Sequence, residues 1–443
     1  MVYQTDLDIP DVKGVHTPGM FNPSPPQVMH LDLNSCFASV EQQANPLLRD
    51  RPLAVVHSDA PYGCILAPSI EAKLWGIKTG MTLAQGKQLC PWLIARVADP
   101  PKYRQIHAQL ANLLQDYSPH VIPKSIDEFV LTVPIPKGSD LEGRAQPRPD
   151  NQRGRSDPQW ISKRTDLTGI VQDIKSRIKS EIGAWLRVSI GVSTNQILAK
   201  LASGLHKPDG FDVIDSSNFL QIYSSIPLTD FCGINVHNEA RLHRVGIFTP
   251  IQFYRASLLT LKSAFKSVLG HSWYTRLQGY EIDDVQFRRQ SFGQSYVLPQ
   301  PMEFIQWRPI LAKLVSKAAR RLRGAGFSAS GVHLALRFND GSSWHAGHNT
   351  PNLLFDDVSL FRSALNLYLQ SYEPCKKVKK VAFTCYGLDQ DSGQLNCLVD
   401  LAKQKSLVSA LDTLNDKWGN YSVTYGSMLG TEDHVKDAIA FGR

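Results

Sequence analysis

Asp127 and Glu128 stand side by side in Ser125-Ile126-Asp127-Glu128, flanked by the apolar stretches Val121-Ile122 and Phe129-Val130-Leu131. A third acid, Asp32, follows a similar apolar run, Val28-Met29-His30-Leu31. Successive strand residues face opposite ways, so the adjacent acids cannot both enter a core without burying charge, which is expensive. Divalent cations offset that cost. Mg²⁺ takes hard oxygen donors and keeps positions open for water and phosphate oxygens, so three carboxylates around an open site make a ligand set for two Mg²⁺ ions. An Asp-Glu pair at a strand end more often simply faces solvent; the residues around this one argue otherwise.

The elements that must carry these acids can be read from periodicity. The strand at 28–33 runs into a helix from Ser35 to Gln43, where Phe37 and Val40 keep helical spacing. Leu53-Ala54-Val55-Val56 and Ile65-Leu66-Ala67 read as strands, with a helix from Ile70 to Trp75 and a longer one from Tyr103 to Tyr117. Residues 1–27, with Pro23, Pro25 and Pro26, lack any period and read as an irregular leader. Residues 134–165 are dominated by Pro, Gly, Ser, Asp and Arg, the composition of a disordered insertion.

At 443 residues the chain suits two to four domains. Its 48 Lys and Arg outnumber 40 Asp and Glu, giving a net charge of +8 that favours a polyanionic partner. The seven cysteines include no Cys-x-x-Cys pair, which reads as reduced thiols in a cytosolic compartment and not as a zinc module. The sequence has neither a long apolar run nor a basic segment leading into one, so the expectation is a cytoplasmic protein with no membrane partner.

Three motifs occur in order: His30-Leu31-Asp32-Leu33-Asn34-Ser35-Cys36-Phe37-Ala38-Ser39-Val40-Glu41, then Ser125-Ile126-Asp127-Glu128, then Ser189-Ile190-Gly191-Val192-Ser193-Thr194-Asn195-Gln196-Ile197-Leu198-Ala199-Lys200. Together they resemble the Y-family translesion DNA polymerases, with similarity running from about Val28 to about Gln390. Asp32-Leu33-Asn34 and Glu71-Ala72-Lys73 are closer to the UmuC-type branch than to the DinB type.

The resemblance implies an α+β right-hand polymerase. Its palm, an antiparallel sheet plus helices, would span 28–44 and 99–225, with the insertion 134–165 inside it, and small fingers would span 45–98. A helix-hairpin-helix thumb would cover 226–284, where Gly233 marks the turn and Asn235 replaces the usual second glycine, its tolerance of a left-handed backbone preserving the turn. A basic linker at 285–291 would lead to a β-α-β-β-α-β little finger at 292–390. That little finger includes a helix carrying Lys313, Lys317, Arg320, Arg321 and Arg323, and the run Lys376-Lys377-Val378-Lys379-Lys380 just before its last strand. Residues 391–443 form a C-terminal extension whose role is not readable.

By the same resemblance, Asp32, Asp127 and Glu128 are the catalytic acids, and with the Leu33 carbonyl they would hold two Mg²⁺ ions. Phe37, beside Cys36, is placed as the steric gate under the incoming sugar. The fingers positions used for triphosphate by DinB-type members carry Ile70 and Lys73, and Lys207 matches a palm lysine that reaches the β and γ phosphates. Primer-template DNA and deoxynucleoside triphosphates are the implied partners, and the implied activity is error-prone extension past damaged bases in the SOS response, near the nucleoid. Gln394-Leu395-Asn396-Cys397-Leu398-Val399 is distantly similar to the peptide by which bacterial polymerases dock on a sliding clamp. A catalytically inert relative that bridges to another polymerase is the competing reading; such relatives typically lose metal carboxylates, and here all three are present.

Overall fold

In a computed structural model, which describes residues 20–133, 167–283, 289–370, 376–390 and 401–436, the run Val28–Leu33 is a strand, β1, whose alternation organises the sheet around it. Met29, Leu31 and Leu33 are buried on one side, while His30 and Asp32 point to the other. The chain continues through α1 (Cys36–Ala44), β2 (Leu53–Val56), β3 (Ile65–Pro68), α2 (Ile70–Leu74), α3 (Leu83–Leu89) and β4 (Ile94–Val97). It then forms α4 (Pro100–Gln115), β5 (Val121–Pro123), β6 (Glu128–Thr132), α5 (Leu167–Arg177), β7 (Val188–Ser193), α6 (Gln196–Leu205) and β8 (Phe211–Ile214).

The larger sheet runs β5-β6-β1-β7-β8. Strands β6 and β7 flank β1 in antiparallel register, whereas β8 joins β7 in parallel, a departure from the antiparallel sheet expected. The reason is topological: a parallel neighbour needs a crossover, and α6 supplies it. Residues Met29, Leu31, Tyr103, Leu110, Phe129, Ile174 and Ile190 form the core on one face. A second sheet, β3-β2-β4, packs Val56, Ile65 and Leu83 with Ala72 of α2. Ser69 caps α2 by accepting a hydrogen bond from Ala72 N.

Five helices follow: α7 (Phe219–Ser225), α8 (Val236–His243), α9 (Pro250–Arg255), α10 (Leu258–Phe265) and α11 (Leu269–Leu277). They pack Tyr223, Phe231, Phe253 and Trp273 against Leu198, Leu201 and Ala202 of α6. Gly233 has φ +101°, as the turn requires. Asn235, expected in a left-handed conformation, is instead extended (φ −104°, ψ −179°), and its side chain accepts from His237 N and Asn238 N at the start of α8. Capping is the stronger use of an Asn at this position. The end of the leader is also more tied down than its prolines suggest: Phe21 is buried and stacks on Phe219 at 4.1 Å, and Asn22 N donates to Gln278 O.

The described residues divide into two compact units, the second beginning after 285. Its elements are β9 (Ser291–Met302), α12 (Phe304–Gly324), β10 (Phe327–Phe338), β11 (Ser343–Leu354), α13 (Asp357–Gln370), β12 (Val378–Gln390) and α14 (Leu401–Trp418). The order β-α-β-β-α-β is the one expected, and the strands form a sheet β11-β10-β12-β9. Val332, Leu334, Val381 and Phe383 bury one sheet face beneath Trp307, Leu311 and Leu360. Val378, Lys379 and Lys380, expected ahead of the last strand, lie within it.

The helix α14 belongs to the extension whose role was unreadable, and it docks on the basic helix α12. Arg323 donates to both carboxylate oxygens of Asp412 and to Asp357, and Arg320 to Asp416 and Asn420. Arg320 and Arg323 are thus occupied within the chain. Among the described residues no helix is long and apolar enough to cross a membrane. The leader before residue 20, the insertion 134–165, most of the linker and the peptide 394–399 lie outside the described residues.

Candidate active site

Strand pairing brings the distant acids together. Asp32 and Glu128 are direct partners in the β1–β6 ladder, and Leu33 N donates to Asp127 O at 2.9 Å. A cavity of about 530 Å³ opens at these strand ends, lined by Asp32, Leu33, Cys36, Phe37, Ile70, Lys73, Asp127 and Lys207, among others. Every candidate drawn from the sequence is therefore in its wall except Glu128. The two acids stand on the sheet side. Lys73 comes from α2, beyond β3, and Lys207 from the turn after α6.

Lysines already neutralise two of the three carboxylates. Lys207 Nζ lies 2.8 Å from an Asp32 oxygen. Lys200 Nζ lies 2.8 Å from each oxygen of Glu128, and His30 Nε2 is 3.8 Å from one of them. Desolvation works to raise the Glu128 carboxyl, but the contacts from His30 and Lys200 outweigh it and hold it at about 2. Asp127 behaves in the opposite way: desolvation and the negative charges of Asp32 and Glu128 raise it, against a hydrogen bond from Ser125. Cys36 is pushed well up by burial and by the same two aspartates. Lys73 is lowered, first by desolvation and then by the charge of Lys207, so the two ammonium groups face a shared volume.

The side chains behind the wall were not legible from motifs. Tyr103 on α4 stacks on Phe37, with centroids 4.4 Å apart and planes at 11°, and its hydroxyl donates to Glu41. Asn34, quoted above as part of a motif, anchors the turn that carries Lys207: its side-chain oxygen accepts from Asp209 N at 2.8 Å, and its amide donates to Ser189 Oγ. Lys200 closes the third motif, yet only the packing of α6 reveals what it touches.

The donor chemistry fits divalent cations: the carboxylates of Asp32 and Asp127 are hard, partly desolvated and open to the cavity. Among the described residues no three His, Cys, Asp or Glu side chains are gathered closely enough to ligate one ion. Of the three acids, Glu128 has both oxygens engaged by Lys200.

The sequence profile of the impB/mucB/samB family matches residues 31–204, and that of the family's C-terminal domain matches residues 289–397. The chain is 32% identical over 322 residues to DNA polymerase IV of Alkalilimnicola ehrlichii, covering 71% of this chain and 82% of that protein. It is 29% identical over 409 residues to DNA polymerase IV of Pelotomaculum thermopropionicum, covering 89% and 94% respectively. Among solved structures, a Y-family DNA polymerase chimera of Dbh and Dpo4 superposes with a TM-score of 0.67 at 20% identity, covering 82% of this chain and 99% of the other.

Proposed function

The chain belongs to the Y-family DNA polymerases of the impB/mucB/samB type, and from that premise we propose that it extends primers past damaged template bases, with low fidelity, by nucleotidyl transfer at the cavity between β1, β6 and α2. The observation that carries this reading is the set of groups gathered in one cavity wall: the carboxylates Asp32 and Asp127, the ammonium groups of Lys73 and Lys207, and the Phe37 ring. A deoxynucleoside triphosphate has the complementary parts.

In this reading Asp32, Asp127, Glu128 and the Leu33 carbonyl hold two divalent cations. Bound there, such ions neutralise the triphosphate and lower the pKa of the primer 3′-hydroxyl. The protein does the positioning. Lys207 and Lys73 draw in the phosphate oxygens as point charges, without the bidentate fork an arginine would offer. Phe37, backed by Tyr103, packs beneath the sugar and leaves no room for a 2′-hydroxyl. Asn34 fixes the turn that presents Lys207.

The two units take the roles of palm, fingers and thumb in the first and little finger in the second, with the basic chain as a whole suited to duplex phosphates. A sliding clamp remains a proposed partner through residues 394–399. The deciding experiment is extension of a labelled primer on damaged and undamaged templates with Mg²⁺ and all four deoxynucleotides, beside a triple Asp32, Asp127 and Glu128 substitution. Extension equal in both proteins overturns the site; stalling of the wild-type chain at every lesion overturns the bypass activity.

A further inference from the structure

The contact between Lys200 and Glu128 is built by the fold and is not a chance meeting of long side chains. Gly191 on β7 is the direct ladder partner of His30. A Cβ at Gly191 would fall 2.1 Å from both Ala199 O and Ser203 N, so the absence of a side chain there lets α6 lie flush on the sheet. That approach carries Lys200 and Ser203 onto the sheet face occupied by His30 and Glu128. His30, 1% exposed, has its Nδ1 3.1 Å from Ser203 Oγ, and Ser203 in turn donates to the Lys200 carbonyl at 2.8 Å. The Glu128 carboxylate is thus met by two side chains on two elements, His30 of β1 and Lys200 of α6. Its ladder partner Asp32 lines the cavity, and Glu128 does not.

We infer that Lys200 is a positioning residue that occupies Glu128 as a counter-cation in the free protein, so that a divalent ion gains Glu128 only by displacing the ammonium. This rests on the reading of Glu128 as a metal-holding carboxylate. An ammonium held at 2.8 Å by both oxygens competes directly with a cation for those oxygens and repels it electrostatically. The free chain therefore holds divalent ions weakly. Lys200 also differs from Lys207 in kind: Lys207 lies in the cavity wall, within reach of an incoming triphosphate, whereas Lys200 is absent from that wall.

The test is Mn²⁺ binding to the full chain without DNA or nucleotide, followed by the electron paramagnetic resonance signal of free Mn²⁺, for wild type, K200M, K200R, E128Q and K200M/E128Q. K200M is expected to bind Mn²⁺ on the order of tenfold more tightly than wild type, because the competitor is gone. K200R, which restores a cation, is expected to stay within about twofold of wild type. In the double variant the gain should vanish, and the Mg²⁺ concentration giving half-maximal single-turnover extension should fall in K200M alone. If K200M does not fold by circular dichroism and thermal melting, K200Q, whose uncharged amide still donates hydrogen bonds, serves in its place. Mn²⁺ affinity in K200M or K200Q no tighter than wild type overturns the inference. If that result comes with E128Q abolishing extension, only the role of Lys200 falls; if E128Q leaves both Mn²⁺ binding and extension unchanged, the reading of Glu128 falls with it.

Discussion

Phe37 and Tyr103 stack face to face at 4.4 Å, and Tyr103, 1% exposed, is itself held by a 2.9 Å hydrogen bond to Glu41, which also receives Lys102. The ring that borders the cavity is thus supported by a buried ring tethered through its hydroxyl. Phe37→Ala should raise ribonucleotide incorporation on the order of a hundredfold relative to deoxynucleotide, read as the ratio of kcat/KM values. Tyr103→Leu should relax the same selectivity in part, since it leaves Phe37 present but unsupported. Unchanged sugar selectivity in Phe37→Ala would make Phe37 a core residue only.

The Asn34 side chain joins the start of α1 to the turn bearing Lys207 through Asp209 N and Ser189 Oγ. Asn34→Ala removes the acceptor and leaves a partly buried amide unpaired, a loss of about 1–3 kcal/mol. Lys207 then keeps its charge but loses its fixed place. The expected outcome is a lowered melting temperature and a rise in KM for the nucleotide larger than the fall in kcat. A change confined to kcat would mean that the turn does not serve nucleotide binding.

Asp127 has no cation partner among the described residues, and its carboxyl is raised by desolvation and by Asp32 and Glu128. A group kept charged at such a cost answers to function more than to stability. Asp127→Asn removes the charge and keeps the shape, so it should melt at or above the wild-type temperature while primer extension is lost and DNA binding by fluorescence anisotropy stays. Persistent extension would end the assignment of Asp127.

How the sequence foreshadowed this arrangement depends on the range of the interaction involved. The strands β1 and β6, the helix α4 and the order of the second unit follow from alternation and spacing, which are local, whereas the placing of Asp32, Asp127, Phe37 and Lys207 in one site comes from the resemblance of three ordered motifs to a known family. What stayed hidden depends on close approach between elements distant in the chain. Tyr103 reads as one more apolar position on α4 until α1 is laid against it. Gly191 reads as a strand interruption until α6 is seen to need the space of its missing side chain. The parallel edge strand β8 has too few residues to announce its direction, and Asn235 could either cap a helix or turn left-handed, a choice made by the backbone around it.

Glu128 sets a pH window. Its folded-state pKa of about 2 lies below the ordinary 4.5, so its contact with His30 and its ion pair with Lys200 together contribute stability that is fully present above pH 4.5 and is lost as pH falls towards 2. The span corresponds to about 3 kcal/mol. Asp127, raised, acts with the opposite sign, its unfavourable charge being relieved as pH falls. Chemical denaturation in EDTA at stepped pH should therefore show the stability difference between wild type and Glu128→Gln shrinking below pH 4.5, and a constant difference would show that the pair does not stabilise the fold.

Arg323 is the anchor of the C-terminal extension. Its guanidinium, with 13% side-chain exposure, meets Asp412 of α14 in two hydrogen bonds and Asp357 of α13 in a third, and it also donates to Phe355 O. Removing it takes the guanidinium from the buried Asp357 and leaves Asp412 with the longer 3.5 Å contact from Arg320, and breaking such a buried pair from one side costs about 3–5 kcal/mol. Among the described residues of α14, Val408 is buried and Leu411 half-buried, too little apolar area to hold the helix alone. Arg323→Met should thus release α14 from α12: limited proteolysis should cut within 401–418 in the variant and spare the wild type, while the rest of the second unit, whose core of Trp307, Leu311, Val332 and Phe383 is formed without α14, resists. Equal protection of α14 in both proteins would mean that Arg323 is dispensable for docking.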